Sequence, residues 1–371
     1  MNGLYKTFNT MRLFVCGDIM PGGVLPYQKE YIDTTLLKHM STFDFRIGTL
    51  ECAVGNGLPF DEGKMSKLKN IIYVRNEDLF RIKEMGFDVV SLANNHVWDM
   101  GVEGLRNTIS QLEKLGIQYC GAGMNIAEAS RPAVVTKDGL SVAFLAYCMC
   151  DELFMWHSNM VRAGIDTPGV CPLDIDKVEE DIREAKKKYD KVVVLPHWGK
   201  EYKYTPLPET VAMAKRMIKA GADAVMGGHA HQVQPLVRLK GVPVCFSMGN
   251  FLFPDFYMQP PRPVWYPESS EDLTRIPDVN WYMYPLEESV RRVWKHLQRF
   301  SRAVEISVGQ KRVTTKSCFT YNSFDNILSS AEIEKGIKKR LWKESGYIKF
   351  GVISLVKKIV RKLRRMLTVN N

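Results

Sequence analysis

The sequence predicts a layered α/β fold, and three observations lead to that prediction. The chain has 371 residues, of which 45% are hydrophobic and 25% charged, the composition of a protein with a packed core. From Met11 onward, short apolar runs alternate with amphipathic stretches, a pattern typical of strands covered by helices. Several amphipathic stretches end at glycine, which is common just after a helix.

The apolar runs predict strands and the amphipathic stretches between them predict helices. Strands are expected at Leu13–Cys16, Phe45–Leu50, Val89–Leu92, Ala133–Val135, Val142–Tyr147, Val192–Leu195, Ala224–Met226 and Val242–Phe246. Helices are expected at Glu77–Met85, Val102–Leu115, Ile175–Lys188 and Glu209–Ala220, with Gly86, Gly116 and Gly221 at their ends. Near the end, Ala303–Val308 and Val313–Phe319 flank a Gly-Gln-Lys turn and predict a hairpin that closes the domain.

One main domain is therefore expected over residues 11–325, followed by a basic helical tail over residues 331–371. The domain is interrupted at about 254–300 by an insertion rich in Pro, Trp and Tyr. Between Pro254 and Pro285 it lacks helical or strand periodicity and is predicted to be a loop. Its aromatic side chains would either shape the wall of a substrate site or pack the loop on itself.

The positive charge is concentrated at the end of the chain. The formal net charge is +10, but residues 331–371 contain 12 Lys or Arg and only 3 acidic residues. Residues 1–330 are nearly neutral, with 39 basic and 38 acidic side chains. A neutral body argues against a nucleic-acid track, so no specific nucleic-acid partner is expected.

Residues 347–367 have the pattern of a basic amphipathic helix. Apolar residues from Ile348 to Leu367 recur every three or four positions, and Lys and Arg occupy the opposite face. This pattern suits the headgroups of an anionic membrane, but the apolar run is too short to span a bilayer. Two alternatives stay open: the helix docks on the domain with its charges in solvent, or it binds an acidic polymer or nucleic acid.

The cysteine pattern and the start of the chain favour the cytoplasm. The eight cysteines fall mostly in apolar runs without paired zinc spacing, so we expect buried, reduced thiols. Residues 1–12 lack the apolar core of a signal peptide. We therefore expect a cytoplasmic protein, which would be peripheral on the inner membrane face if the tail binds lipid.

Polar residues able to bind metal follow five of the predicted strands. Because ligand sites form at the carboxyl ends of strands in α/β sheets, these residues are expected to converge. They are Asp18, Glu51, the run Asn94-Asn95-His96, His197, and the pair His229 and His231. Two carboxylates, an amide and several imidazoles suit Mn, Zn or Fe better than Ca or Mg.

The distribution of histidine strengthens this prediction. Four of the seven histidines lie at such strand ends, although one histidine after a strand is by itself weak evidence. His229 and His231 are two residues apart and would point into one site from an extended strand exit. The other three, His39, His157 and His296, are expected to be structural or surface residues.

The order of these motifs resembles the CapA-type proteins of bacterial poly-γ-glutamate capsule synthesis, which share the calcineurin-like metallophosphoesterase fold. The resemblance covers roughly residues 11–253. It is carried by Gly17-Asp18-Ile19-Met20, Thr49-Leu50-Glu51, Leu92-Ala93-Asn94-Asn95-His96, His197-Trp198-Gly199-Lys200-Glu201-Tyr202, Gly228-His229-Ala230-His231 and Ser247-Met248-Gly249-Asn250-Phe251.

The resemblance implies a four-layer α/β/β/α sandwich with two divalent ions, Mn, Zn or Fe, held between its sheets. The implied metal ligands are Asp18, Glu51, Asn95, His197, His229 and His231, with Glu51 bridging the ions. His96 would act as the general acid, with Asp99 orienting it. Asn94, Glu201 and Asn250 would support the ligands from behind.

The implied function is a metal-dependent phosphoesterase-type hydrolase that uses a metal-bridging hydroxide in the synthesis of a capsule or related cell-surface polymer. Its substrate would be an anionic polymer or a phosphorylated precursor. The alternative is a non-hydrolytic metal-binding component for assembly or transport of such a polymer. The chain departs from the wider superfamily at Met20, where a ligand histidine is usual, so one ion is expected to have one imidazole fewer.

Overall fold

The structure is a computed structural model of the chain. It describes residues 10–57, 70–150, 160–260, 263–268, 273, 275–280 and 286–350. His157 and most of the predicted basic tail lie outside these residues.

Strands and helices alternate along the chain, as predicted. The strands are β1 (Met11–Ile19), β2 (Phe45–Leu50), β3 (Ala53–Val54), β4 (Tyr73–Val74), β5 (Val89–Ser91), β6 (Gln118–Cys120), β7 (Ala122–Gly123), β8 (Ala133–Lys137), β9 (Leu140–Cys148), β10 (Gly169–Val170), β11 (Lys191–His197), β12 (Ala224–Met226), β13 (Leu236–Leu239), β14 (Val242–Cys245), β15 (Asn250–Leu252), β16 (Phe256–Met258), β17 (Val264–Trp265), β18 (Asp278–Val279), β19 (Val290–Arg292), β20 (Phe300–Val308), β21 (Val313–Asn322) and β22 (Leu328–Ser330). The α-helices are α1 (Thr34–Ser41), α2 (Phe80–Glu84), α3 (Gly101–Leu115), α4 (Ile126–Ala129), α5 (Ile175–Lys188), α6 (Pro208–Ala220) and α7 (Lys335–Phe350).

The helix ends follow from local sequence. The side chain of Asp174 caps the start of α5 by accepting the backbone N–H of Asp176. Helices α3 and α6 end at Gly116 and Gly221, whose φ angles of 66° and 119° are left-handed. The predicted glycine stops of these two helices are therefore confirmed.

The first large sheet has eight strands, in the order β22-β21-β20-β1-β2-β5-β6, with β15 also pairing with β1. Strands β1, β2, β5 and β6 run parallel, so their carboxyl ends meet at one edge. Strand β20 pairs antiparallel with β1 and with β21, which confirms the predicted closing hairpin. The edge formed by the parallel ends of β1, β2 and β5 is where Asp18, Glu51 and the asparagine run leave the sheet.

The second large sheet has six strands in the order β13-β14-β12-β11-β9-β8, and its four central strands run parallel. Alternate side chains of β11 face opposite ways. Val193 and Leu195 join the core shared with the first sheet, whereas Val192 and Val194 pack with side chains of α5 and α6. With α1 and α3 contributing to the core of the first sheet, the layers are helix, sheet, sheet and helix, as predicted.

The insertion differs from the prediction of a loop without regular structure. Its described residues include a small four-stranded sheet in the order β17-β16-β19-β18. Each of these strands has only two or three residues, which is too short to show strand periodicity in the sequence. Pairing between strands that are distant along the chain, such as Met258 with Val290, creates the sheet.

The thiols and the carboxyl-terminal helix complete the fold. All eight cysteines are free and seven are buried, which confirms the expectation that most thiols are buried. Helix α7 begins at Lys335, and its Ile348 packs into the core beside α6.

Among the residues that the structure describes, no helix has the length and apolar character needed to cross a bilayer.

Candidate metal centre

The two carboxylates of the candidate site lie at the carboxyl ends of neighbouring strands. Asp18 is near the end of β1 and Glu51 directly follows β2, and both are fully buried. The backbone N–H of Glu51 is bonded to the carbonyl of Ile19, which fixes the exit of the chain from the sheet. The sequence brings both acids here because the two strands are parallel, and a shift in register between Val15 and Asp18 pairs Asp18 with Thr49, two residues before Glu51.

Three imidazoles reach the same point from the second sheet. His197 ends β11, and His229 and His231 follow β12. The Nε2 atom of His197 lies 3.4 Å from Oε1 of Glu51 and 3.2 Å from Nδ1 of His229. The Nε2 atom of His231 lies 3.8 Å from Oε1 of Glu51. The candidate ligands at this point therefore come from both sheets.

The two histidines after β12 do not leave the strand in the extended conformation that we expected. His229 and His231 have φ angles of 84° and 48°, which are uncommon for residues with a side chain. Strained backbone of this kind concentrates at functional sites, where surrounding structure holds it. Both side chains reach the site, but a left-handed turn brings them there.

These residues form two overlapping groups of metal-ligand type. One comprises Asp18, Glu51 and His231, and the other comprises Glu51, His197 and His229. Within each group the ligand atoms lie within 4.8 Å of one another, and every member is buried. Glu51 belongs to both groups, which is the arrangement expected for a carboxylate between two ions.

Several atoms of this centre are buried without a hydrogen-bond partner among the described residues. They are Oδ1 of Asp18, both carboxylate oxygens of Glu51 and Nδ1 of His197. Buried polar atoms are usually paired because desolvation is costly. A cation coordinated by these oxygens would remove that cost, so the residues present fit a metal centre.

The pKa values of the two carboxylates also fit a metal centre. Burial raises the pKa of Asp18 well above its usual value, and the charge of Glu51 raises it further. Burial also raises the pKa of Glu51, although His231 and His96 oppose the shift. Two buried carboxylates with raised pKa values are more easily ionised together when a positive partner lies between them.

The imidazoles divide into two kinds. Burial lowers the pKa of His197 and of His229, and neighbouring imidazoles add to the effect. Burial also acts to lower the pKa of His231, but the charges of Glu51, Glu201 and Asp18 outweigh it and the pKa is raised. Neutral imidazoles at His197 and His229 are the protonation state that metal binding requires.

Asn250 orients the imidazole of His231, and Asn95 lies beside that of His197. The Nδ1 atom of His231 is 2.7 Å from Oδ1 of Asn250, so the Nε2 atom faces Glu51. Asn250 is beside Asp18 because β15 pairs with β1 at that position. Oδ1 of Asn95 lies 2.8 Å from Nε2 of His197, close enough to supply an oxygen to the second group.

Close approach of the two sheets requires glycine at position 228. A Cβ atom there would lie 2.7 Å from Oδ1 of Asp18 and 3.4 Å from Nδ1 of His197. The backbone N–H of the next residue, His229, donates to Oδ2 of Asp18 at 3.3 Å. Glycine 228 thus lets the backbone of the second sheet contact the aspartate of the first.

His96 and Asp99 form a pair beside the metal-ligand groups. The Nδ1 atom of His96 is 2.6 Å from Oδ2 of Asp99, and this carboxylate also accepts the backbone N–H of Ile72 at 2.7 Å. The amide of Asn94 holds the turn, because its oxygen accepts the N–H groups of His96 and Val97 and its nitrogen donates to the carbonyl of Leu50. The pair is therefore fixed to both β2 and β5.

Glu201 lies at the margin of the centre. Its burial acts to raise its pKa, but the neighbouring imidazoles of His229, His231 and His96 lower it. Glu201 therefore stays ionised and adds negative charge near the imidazoles. Its place fits the supporting role predicted from the sequence, a role that remains a prediction.

The sequence left open whether aromatic residues of the insertion line the site or pack the loop on itself, and it did not single out Trp294 or Tyr202. The ring of Trp294 lies 5.2 Å from that of His231, and Tyr202 stacks on His231 at 5.9 Å and 30°. Trp294 is fixed by the buried pair of Asp255 and Arg299, since Asp255 accepts its backbone N–H. The only sequence signal for this wall was the unusual aromatic content of the insertion.

The other two described histidines are away from the centre. His39 contacts Glu305 at 2.9 Å, and His296 contacts Glu334 and the hydroxyl of Tyr321. Position 20 contributes no ligand, since the fully buried Met20 packs in the apolar core.

The part of the chain that contains the candidate site also matches known proteins. The family model described as "Bacterial capsule synthesis protein PGA_cap" matches residues 12–255. The "Capsule biosynthesis protein CapA" of Bacillus anthracis is 32% identical over 254 residues, which cover 66% of this chain and 60% of that protein. The "PGA biosynthesis protein CapA" of Bacillus subtilis is 33% identical over 183 residues, which cover 49% of this chain and 47% of that protein.

The matched region thus spans between 47% and 60% of the length of these two relatives. Among solved structures, the calcineurin-like phosphoesterase YfkN from Bacillus subtilis superposes with a TM-score of 0.45 at 11% identity, covering 91% of this chain and 97% of that one.

Proposed function

This chain belongs to the bacterial capsule synthesis family PGA_cap, and from that premise we propose that it is a metal-dependent phosphoesterase-type hydrolase. Its substrate would be an anionic cell-surface polymer or a phosphorylated precursor of one. The observation that supports this most directly is Glu51, which is shared by two groups of buried metal-ligand residues. The pair of His96 and Asp99 beside them supplies a proton donor.

One ion would be held by Asp18, Glu51 and His231, and the other by Glu51, His197 and His229 with the amide oxygen of Asn95. This mixture of oxygen and nitrogen ligands suits Mn, Zn or Fe. When bound, such ions supply Lewis-acid activation of water and of the phosphoryl oxygens.

The residues of the chain would perform the proton transfer and the positioning. Asp99 accepts from Nδ1 of His96 and stabilises the imidazolium, which leaves the Nε2 proton to be donated to the departing oxygen. The bond from the backbone N–H of Ile72 keeps Asp99 oriented toward the ring. Sheets packed on both sides of the centre exclude bulk water and strengthen these electrostatic interactions.

The test separates metal binding from proton transfer. We expect His96→Ala to retain the metal content of the wild type but to lose about 10²–10⁴-fold, the usual contribution of a general acid, in turnover of glycerophosphocholine, whose alkoxide leaving group needs a proton. His296→Ala is the matched control, because His296 is bonded to Glu334 and lies away from the centre. Undiminished turnover in His96→Ala would exclude the proposed role of this histidine.

A second candidate function is a non-hydrolytic component for assembly or transport of an anionic polymer. Met20 favours it, because a buried thioether stands where the wider superfamily has an imidazole ligand. A protein that binds two ions but turns over neither phosphomonoesters nor phosphodiesters would support this candidate over the hydrolase.

We also propose that the basic tail contacts an anionic membrane surface from the cytoplasmic side. Residues 351–371 contain six Lys or Arg and no acidic residue. Ile348, which the sequence places on the apolar face of the tail, instead packs against the domain. The lipid-facing part of the tail would therefore lie beyond Ile348.

A further inference from the structure

Arg292, at the end of β19 in the insertion, is a buried cation beside the metal-ligand groups. It is only 6% exposed, and among the residues that the structure describes no carboxylate lies within ion-pair distance of it. By contrast, the similarly buried Arg299 is paired with Asp255 at 2.8 Å. A buried guanidinium without a counter-ion is unfavourable unless an anion joins it.

The surroundings of Arg292 place it next to the site. Its guanidinium carbon lies 4.8 Å from the ring centre of Trp294, and the Trp294 ring is 5.2 Å from that of His231. One of its nitrogens donates to the carbonyl of Val293, which orients the group. Cation–π contact of this kind holds a guanidinium flat while leaving its edge donors available.

Tyr202 completes the same wall. Its ring stacks on His231, and its hydroxyl interacts with Arg292 and with Glu201. Tyr202 is 37% exposed and has a φ angle of 59°, so a strained backbone presents this ring to solvent at the margin of the site. Arg292 therefore lies behind an accessible aromatic surface, within two side chains of a candidate metal ligand.

We propose that Arg292 binds a second oxyanion of the substrate, a carboxylate or a phosphate, while the reacting phosphoryl group lies at the metal centre. A planar guanidinium matches the two oxygens of either group. This inference rests on the proposed function, because it names a substrate class for the same site: a phosphoester that carries another negative charge close to the reacting phosphorus. A substrate with no second negative charge would leave Arg292 without a counter-ion.

Binding of three small phosphonates to the manganese-loaded full chain tests the proposal without turnover. Methylphosphonate has one anionic group, phosphonoacetate adds a carboxylate and methylenediphosphonate adds a second phosphonate. We expect the wild type to bind at least one of the last two about 10-fold or more tightly than methylphosphonate, by titration calorimetry. The better of the two identifies the second oxyanion as carboxylate or phosphate.

Variants assign the effect to this residue. Arg292→Met should remove the preference without changing methylphosphonate binding, and Arg292→Lys should keep part of it. Arg291→Met is the matched control, since Arg291 lies on the same strand but pairs with Asp278. A preference that survives in Arg292→Met, or failure of all three ligands to bind the wild type, would overturn the proposal. A preference that depends on Arg292 in a protein without turnover would contradict the hydrolase but not the anion site.

Discussion

Glu51 is the residue on which both candidate ion positions depend. Its carboxylate lies 3.4 Å from His197, at the end of β11, and 3.8 Å from His231, which follows β12. Both of its oxygens are buried and lack hydrogen-bond partners among the described residues. No other described residue belongs to both ligand groups, so the residues of the centre should not be equivalent when they are replaced.

Metal stoichiometry should therefore differ among single variants. Glu51→Ala should bind neither ion firmly, whereas His231→Ala and His229→Ala should each retain about one ion, because each removes a ligand from one group only. Asp18→Ala should behave like His231→Ala. Elemental mass spectrometry after dialysis measures this, with His296→Ala as control. Equal loss in all four variants would contradict a shared Glu51.

Metal stabilisation should also depend on pH. In the metal-free protein Asp18 and Glu51 have raised pKa values, so above their usual values of 3.8 and 4.5 the folded state holds more protons and loses stability as pH rises. His197 and His229 have lowered pKa values, so below 6.5 the unfolded state binds more protons and stability is lost as pH falls. Metal binding needs ionised carboxylates and neutral imidazoles.

The gain in Tm on adding manganese should accordingly be about 1–3 °C larger at pH 8 than at pH 5, as expected for a difference of about 1–2 kcal/mol in a chain of this length. Scanning calorimetry at both pH values measures the gain. Glu51→Gln, which we expect to bind metal weakly, should show little gain at either pH. A gain that is the same at both pH values in the wild type would show that these groups do not bind the ion.

At the scale of elements, the site depends on how closely the two sheets approach. Strands β1 and β2 deliver the acids and β11 and β12 deliver the imidazoles, so the centre exists only where the two parallel edges face each other. Gly228, which forms an isolated bridge with His197, is at this junction. The sequence predicted these strands because each contains an apolar run that is followed by polar residues. It missed the strands of the insertion because they are short and their segment shows no apolar periodicity.

Gly228→Ala should weaken metal binding without unfolding the chain. The added methyl group would lie 2.7 Å from Oδ1 of Asp18, so the carboxylate must move away from the centre. We expect the dissociation constant for manganese to rise about 10-fold or more, in the range seen when support for a ligand is lost. Gly336→Ala, where a Cβ would meet nothing within 4 Å, is the control. Unchanged affinity in Gly228→Ala would mean that Asp18 does not hold the ion.

At the scale of the whole molecule, charge is separated between the domain and the end of the chain. Positive charge is concentrated after residue 330, while the remainder is nearly neutral. Helix α7 is attached through Ile337, Leu341 and Ile348, which are buried. The sequence could not distinguish a docked helix from a lipid-binding one. The structure shows that the described part is docked.

Removal of residues 351–371 should abolish binding to vesicles that contain phosphatidylglycerol while leaving Tm unchanged, because Ile348 and the rest of α7 are retained. Each basic residue near an anionic surface contributes about 1 kcal/mol, so six of them account for salt-sensitive binding. Cosedimentation with phosphatidylcholine vesicles is the lipid control. Lys311→Ala with Arg312→Ala, in the exposed turn between β20 and β21, is the charge control. Vesicle binding that persists after truncation would show that the tail is not the membrane-binding segment.

The sequence by itself determined the family, the alternation of strands and helices, and the polar residues at the strand ends. These features are local or follow from the order of motifs along the chain. Only the tertiary structure decided that Glu51 is shared by two ligand groups, that His229 and His231 enter through left-handed backbone, and that Arg292 and Trp294 form a wall beside them. Those relations join residues far apart in sequence, and they depend on the distance between two sheets, which no local pattern encodes.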